Sequence, residues 1–429
     1  MSSRPKALGL MSLTAIGIGG MVGGGIFAVL GIAVSMAGSA TPLAFLFSGS
    51  IALVTSYSYA KLSSTYPSEG GTVAFIIKAF GTGTMSGGLN IMLWLSYVIM
   101  ISLYAYTFGS YGVQLFSLSA SWAPHVLSSL AILVFMSLNV LSASIVGKTE
   151  EVIVFIKVSI LLVFIAFGIS GINTSTLSPS SWVPYTDIVV GGMLIFVAYE
   201  GFELISNAAN DASRPGDIPR ALYISVSFVI CLYVLIALVA VGSVSVSDIV
   251  ASRDYALAKA AEPFLGSFGF SLIAVAALLS TSSAINATLY GAARTSYTIA
   301  RDGELPEKLE HKVWNKPIEG LFITTILALV LVNTLDLSRI ATLGSLGFIV
   351  IFAAVNLAHL RLHKTAGGRG YISAIGVVST TIAFVLLLRY SIQNDPVVAL
   401  MFIAYFFGCL AVERIYSGIT KRSLEKIRC

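Results

Sequence analysis

Charge is what this chain has least of. Only 10% of its 429 residues are Asp, Glu, Lys or Arg, against about 25% in an ordinary soluble domain, so a water-soluble globular fold is excluded. Cysteine is scarce as well. Cys231 and Cys409 lie in apolar runs and Cys429 ends the chain, which leaves no basis for a disulfide framework. His125, His359 and His363 stand alone, and neither a metal-ligand spacing nor a nucleophile triad occurs. An enzyme is therefore not expected, and no cofactor is implied.

Apolar sequence is what the chain has in quantity, 56% of its residues. Runs long enough to cross a bilayer, about 20 residues each, recur twelve times, near 10–36, 41–61, 85–112, 126–142, 152–171, 188–210, 221–242, 268–299, 319–334, 340–360, 371–389 and 396–416. The first is too long for a cleavable signal peptide and has no small-residue cleavage site behind a short apolar core. These features predict an all-α integral membrane protein, one transmembrane domain over 1–429 with the lipid bilayer as its surroundings. Loops are short except 243–263 and 301–317.

The net charge of +5 is a matter of topology. With the N-terminus inside, twenty Lys and Arg residues fall at one side of the spans, including Arg4, Lys6, Lys61, Lys78, Lys148, Arg214, Arg220, Lys308, Lys312, Lys316, Arg361, Lys421 and Arg428. The other side holds Arg253, Lys259, Arg339 and Arg389, and Lys157 lies within a span. The positive-inside rule then puts both termini in the cytoplasm of a cell-membrane protein. No nucleic-acid partner is expected, and no feature of the sequence marks an oligomeric state.

Two spans carry sequence that a continuous helix resists. The first contains GIGGMVGGGIF, Gly17 to Phe27. Each interior glycine costs a helix about 1 kcal/mol relative to alanine, and an unsatisfied backbone group in hydrocarbon costs several, so a deliberate break is predicted. In the sixth, Gly191 and Gly192 precede MLIFVAYEGFELISNAAND, where Glu200, Gly201 and Glu203 interrupt the apolar run. A charged Glu at the midplane costs about 2.5–3.5 kcal/mol, which predicts a second break there. The two spans are five apart. Because five is odd, a repeat at that spacing has inverted topology, and paired interruptions in inverted halves point to a transporter site near the midplane.

Half-helices would supply the chemistry. An outer one starting near Gly24 presents free N–H groups and a positive dipole end to a carboxylate; an inner one ends in free carbonyls near Gly19, Gly20 and Met21, suited to an ammonium or another cation. The alternative is close helix packing, since Gly19 with Gly23 and Gly20 with Gly24 make GxxxG spacings. Lys157, with no carboxylate within a turn, could exchange a proton at physiological pH, or could snorkel to the interface or toward Glu150. Glu200 and Glu203 could carry protons, pair with Lys157 or a cationic substrate, face a water-filled path, or act as structural hydrogen-bonding groups. The hydroxyls of Ser280 to Ser283 could ligate a cation or receive the Lys157 amine, although Ser and Thr in spans more often bond the preceding turn. Tyr97, Tyr104, Phe196, Tyr199 and Phe202 could close over a substrate or simply pack. Thr41 as cap and Pro42 in the first turn open the second span, and the stretch after TyrProSerGluGlyGly, 66–71, to Phe80 predicts an interfacial or re-entrant helix.

GGGIF at 23–27, ProSerGluGlyGly at 67–71, PheValAlaTyrGluGlyPheGlu at 196–203 and ArgAspGlyGluLeuPro at 301–306 together resemble the amino acid, polyamine and organocation (APC) superfamily over nearly the whole chain. The sequence is most similar to its proton-coupled prokaryotic amino acid transporters, of the ApcT kind. The resemblance implies a LeuT-type fold of twelve spans, with ten core helices at about 10–360 in two inverted five-helix repeats, helices 1 and 6 broken, and two C-terminal helices at about 371–416. It implies a substrate carboxylate on the amides around Gly23, Gly24, Gly25 and Ile26, and an amine on the carbonyls of Gly20, Met21 and the segment Val197, Tyr199 and Glu200. It also implies a proton-coupling lysine, matched by Lys157 with Gly19 and Ser283, Ser282 being the near alternative. Glu200 departs from the apolar residue usual at its place, so a carboxylate there could select cationic amino acids or amines or serve a second protonation. Glu203 is similar to a glutamate of the superfamily's exchangers, a gating or second-protonation position. The expectation is a secondary active amino acid transporter coupled to protons, with amino acid/amine exchange as the alternative and a channel or nontransporting scaffold as the other class.

Overall fold

The structure, a computed structural model, describes residues 8–68, 70–141, 146–301 and 318–420. Glu69, residues 302–306 of the last motif, the side chains of Lys148 and Glu150, and several basic residues of the charge count (Arg4, Lys6, Lys308, Lys312, Lys316, Lys421 and Arg428 among them) lie outside the described residues.

Within them the chain is helical, and its one strand-like feature is an isolated bridge between Leu8 and Ala212. In order the helices are α1 Leu10–Val22, α2 Gly25–Ala37, α3 Thr41–Thr65, α4 Thr72–Phe80, α5 Thr84–Leu115, α6 Ala123–Leu141, α7 Val146–Gly168, α8 Tyr185–Leu194, α9 Leu204–Asn207, α10 Asp217–Ser243, α11 Val246–Ala251, α12 Ala256–Arg301, α13 Ile318–Thr334, α14 Leu337–Ala366, α15 Gly370–Asn394 and α16 Pro396–Thr420. Apolar runs take this form because a helix satisfies its own backbone, which lipid cannot do. Nine helical stretches among the described residues are long and apolar enough to cross a membrane, ten with one bent pair; α1 and α13 are apolar but shorter. The protein is a multi-pass membrane protein.

The first expected break is present. α1 stops at Val22 and α2 begins at Gly25, with Gly24 between them at φ −154°, ψ −11°. The second lies earlier than the sequence predicts. α8 ends at Leu194, the chain bends by 41°, and Phe196–Glu203 continues as a 3₁₀ helix, so Glu200 and Gly201 sit inside the tightened stretch. Ser345 of α14 is the reason the helix can end there: its hydroxyl donates to Leu194 O at 2.6 Å and accepts from Val197 N at 3.1 Å. One side chain thus takes up two backbone groups released where the ladder stops.

Other boundaries also shift. α3 is capped by Ala40, because Thr41 already has helical angles, and the Thr41 hydroxyl donates back to Gly38 O at 2.7 Å. The expected outer loop is largely helical, containing α11 and the first turns of α12, which bends at Gly266 where φ is +59°. The short helix expected before Phe80 is α4, packed against α5 and α14. α5 is central, lying against α6, α12, α13, α14 and α16.

Where the two interrupted segments cross, backbone meets backbone. A Cβ on Gly201 would stand 2.2 Å from Gly20 C, and one on Gly20 would stand 2.7 Å from Gly201 O. Neither neighbour is a side chain that can swing aside. Gly201→Ala should therefore lower the thermal midpoint of the purified protein by the equivalent of about 1–3 kcal/mol. Gly408→Ala, whose Cβ meets nothing within 4 Å, is the control and should leave the midpoint unchanged; equal midpoints for the two variants would mean the crossing has slack.

Candidate functional site at the two interrupted segments

The last carbonyls of a helix have no intrahelical partner, and at the end of α1 three side chains from three other helices supply one. Lys157 of α7 donates to Gly19 O at 2.9 Å, Tyr233 of α10 to Met21 O at 2.7 Å, and Ser280 of α12 to Val22 O at 3.0 Å. Lys157 is fully buried, so its ammonium is held at the break and does not extend to the interface. Tyr233 also faces Ala198 O of the 3₁₀ helix at 3.4 Å, which places one hydroxyl against both interrupted segments.

On the other side of the break, Gly23 ends α1 with its Cα facing Gly19 O and Ala284, and Gly24 lies under the ring of Tyr104, 2.1 Å from where a Cβ would be. Gly25 opens α2 against Ala198 and the Tyr233 hydroxyl, and Ile26 is fully buried. Gly24, the residue before α2, has no side chain to cap it, and the amide of Ala28 makes its bond to Gly24 O at 2.9 Å. The preceding amides of Gly25, Ile26 and Phe27 therefore head the helix at its positive end.

The residues of the 3₁₀ helix separate by direction. The Tyr199 hydroxyl donates to Phe45 O of α3 at 3.0 Å and its ring packs on Tyr233, so it faces away from the break. Phe196 and Phe202 pack on Phe352. Val197 is tied through its amide to Ser345. Glu203 is fully buried and accepts hydroxyls from Tyr97, Tyr59 at 2.9 Å and Thr72 at 3.1 Å. Those donors come from α5, α3 and α4, so one carboxylate joins three helices. Glu200 instead lines a cavity of about 10 Å³, room for roughly one water. With it stand Gly19, Gly20, Tyr97, Tyr104 and Thr288.

The structure thus gathers Gly19, Gly20, Glu200, Tyr97 and Tyr104 around one cavity, and Lys157 joins them through the Gly19 carbonyl. Ser282 and Ser283 lie half-buried on α12, and Ser280, about one turn earlier, bonds the end of α1. The sequence put Ser280 in the hydroxyl run that could ligate a cation or receive the Lys157 amine; its partner in the structure is Val22 O. Tyr233 and Ser345 were missed altogether. Their only signal was a hydroxyl in an apolar span, and their partners lie far away in sequence.

Two interrupted apolar helices that meet beside a small cavity holding a buried carboxylate are the arrangement of a membrane transporter. Residues 8–411 match the family model described as amino acid permease, so the chain belongs to the amino acid permease family, within the APC superfamily. It is 37% identical to an uncharacterized protein of Methanocaldococcus jannaschii, covering 99% of this chain and 98% of that one. It is 33% identical to the inner membrane transport protein YbaT of Escherichia coli, with 97% of each covered. A more distant relative, 24% identical over 84% of this chain and 82% of its own, is the branched-chain amino acid permease BcaP of Bacillus subtilis. The family, YbaT and BcaP are transporters, and the chain is not an enzyme.

The two kinds of tyrosine bond should differ measurably. Tyr97→Phe removes a donor from a buried carboxylate and should cost about 1.5–3 kcal/mol, whereas Tyr199→Phe removes one neutral bond and should cost about 0.5–1.5 kcal/mol. Thermal midpoints of the purified variants compare them, and a Tyr97→Phe protein as stable as Tyr199→Phe would show that Tyr97 does not hold Glu203.

Proposed function

We propose that the protein is a secondary active transporter that moves a small amino acid across the cell membrane by alternating access, with the proton as coupling ion. The observation that carries this reading is the buried Lys157 ammonium on Gly19 O, one turn before the break between α1 and α2. A charge-assisted bond of this kind is roughly twice as strong as a neutral one. A protonated Lys157 ties α7 to the end of α1; loss of the proton weakens the tie and frees α1 to move. The substrate carboxylate is received by the amides of Gly25, Ile26 and Phe27, where the α2 dipole favours it. Ser280 and Tyr233 hold the neighbouring carbonyls, so the end of α1 keeps its shape while Gly19 changes partner.

The same reading assigns the helices to a LeuT-type fold. α1 with α2, and α8 with the 3₁₀ helix and α9, are its broken first and sixth spans; α15 and α16 are the two helices beyond ten core spans in inverted repeats of five. Both termini are then cytoplasmic, in keeping with the basic residues of that side. Relatives named for branched-chain amino acids and for cationic amino acids support amino acids as the substrate class.

Purified protein in proteoliposomes should accumulate amino acid when an inward proton gradient is imposed, and failure to do so under either a proton or a sodium gradient would overturn the proposal. Lys157→Ala should lose gradient-driven accumulation while still exchanging substrate across the membrane at equal pH. A variant that keeps the parent's pH dependence removes Lys157 from the coupling.

A further inference from the structure

Several backbone acceptors around the break already have side-chain donors. Gly19 O, Met21 O and Val22 O accept from Lys157, Tyr233 and Ser280, and Ala198 O faces Tyr233. A cationic group entering here also meets side chains. In the cavity these are the Glu200 carboxylate and the hydroxyls of Tyr97, Tyr104 and Thr288, and no Lys, Arg or His is among its lining residues. Glu200 is only 4% exposed. The carboxylate three residues on, Glu203, has three hydroxyl donors of its own, whereas Glu200 stands in the cavity beside Tyr104. A carboxylate taken out of water stays ionised only if a counter-charge reaches it.

We propose that this counter-charge is carried by the substrate: Glu200 receives the cationic side chain of a basic amino acid, and so sets the substrate class. The inference rests on the transporter reading above. The two ends of such a molecule match the two ends of the break, its carboxylate on the amides that head α2 and its cationic side chain on Glu200. A neutral amino acid leaves Glu200 without a counter-charge, and an amine lacking the carboxylate leaves the head of α2 unmatched. Because the cavity has room for about one water in this arrangement, entry requires the Tyr104 ring to swing off Gly24. Tyr104 then acts as the lid over the subsite.

The test is a competition panel on the full protein in proteoliposomes, measured by counterflow at equal pH so that no coupling is needed. The probes are lysine, norleucine, which has the lysine carbon chain without the ammonium group, and cadaverine, which is lysine without its carboxyl group. Lysine should bind at least about tenfold more tightly than norleucine, the low end of measured charge-pair couplings, and more tightly than cadaverine. Glu200→Gln should erase the preference for lysine over norleucine, Glu200→Met should reverse it, and Glu200→Asp should keep it. A lysine to norleucine ratio near one in the parent protein overturns the inference whether or not any variant folds, while uptake of norleucine leaves the transporter reading standing. Equal binding of cadaverine and lysine replaces the basic amino acid by an amine and overturns the stated class. Counterflow of none of the probes or of any common amino acid overturns the transporter reading itself.

Discussion

A membrane helix cannot be interrupted without answering for the backbone groups it releases, and that requirement organises the centre of this molecule. Two spans break, and the released groups are met by side chains from helices distant in sequence: Lys157, Tyr233 and Ser280 at the end of α1, Ser345 at the end of α8. A hydroxyl on an otherwise apolar surface costs its helix little once it has a partner, whereas the Lys157 ammonium is expensive to bury and gains by meeting a released carbonyl. Together they hold in place a geometry that neither broken segment could keep alone. At the head of α2 the residue before the helix, Gly24, has no side chain to cap it, and the Tyr233 hydroxyl lies against Gly25.

Packing and opening of the glycine run are then one property rather than rival explanations. Gly20 lets the 3₁₀ helix approach to backbone contact at Gly201, while Gly24 accepts the face of Tyr104. Close approach puts the ends of the two broken segments within reach of the same hydroxyl on Tyr233. A larger residue would separate them and leave their backbone groups without shared partners. The spacing that reads as a packing motif and the spacing that reads as a broken helix are satisfied by the same residues.

What was legible in the sequence follows from this. A break at Gly23 to Gly25 could be read because the cost lies in the residues themselves, and so could the exposure of Glu200 and Glu203 as misfits in an apolar run. The position of the second break could not. Gly201 looked like the cause of the interruption, but the helix ends at Leu194 because Ser345, about 150 residues later in the chain, is there to receive it. Gly201 is needed for the crossing with Gly20, a tertiary demand that leaves the same mark on the sequence as a local one. Tyr233 was hidden for a similar reason, since one tyrosine among many acquires meaning only from the carbonyls brought to it. Of the aromatic set, Tyr97 and Tyr104 of α5 face the cavity while Tyr199 of the 3₁₀ helix turns to Phe45, a division that follows from which element carries each ring and not from residue type.

The pair Glu200 and Glu203 shows how far environment separates identical groups three residues apart. Glu203 meets Tyr97, Tyr59 and Thr72, a set of donors fixed on three helices, and so behaves as a fastener between α3, α4 and α5. Glu200 shares its cavity with Tyr104, whose ring also covers Gly24 at the head of α2. Movement of that ring off Gly24 would change the surroundings of the Glu200 carboxylate and of the amides that head α2 in a single step. A charge that must be matched, a dipole that must be matched and the residue that covers both are therefore mechanically linked. The cavity needs no long-range signal to report that both ends of a ligand are in place, because Tyr104 is displaced from both by the same motion.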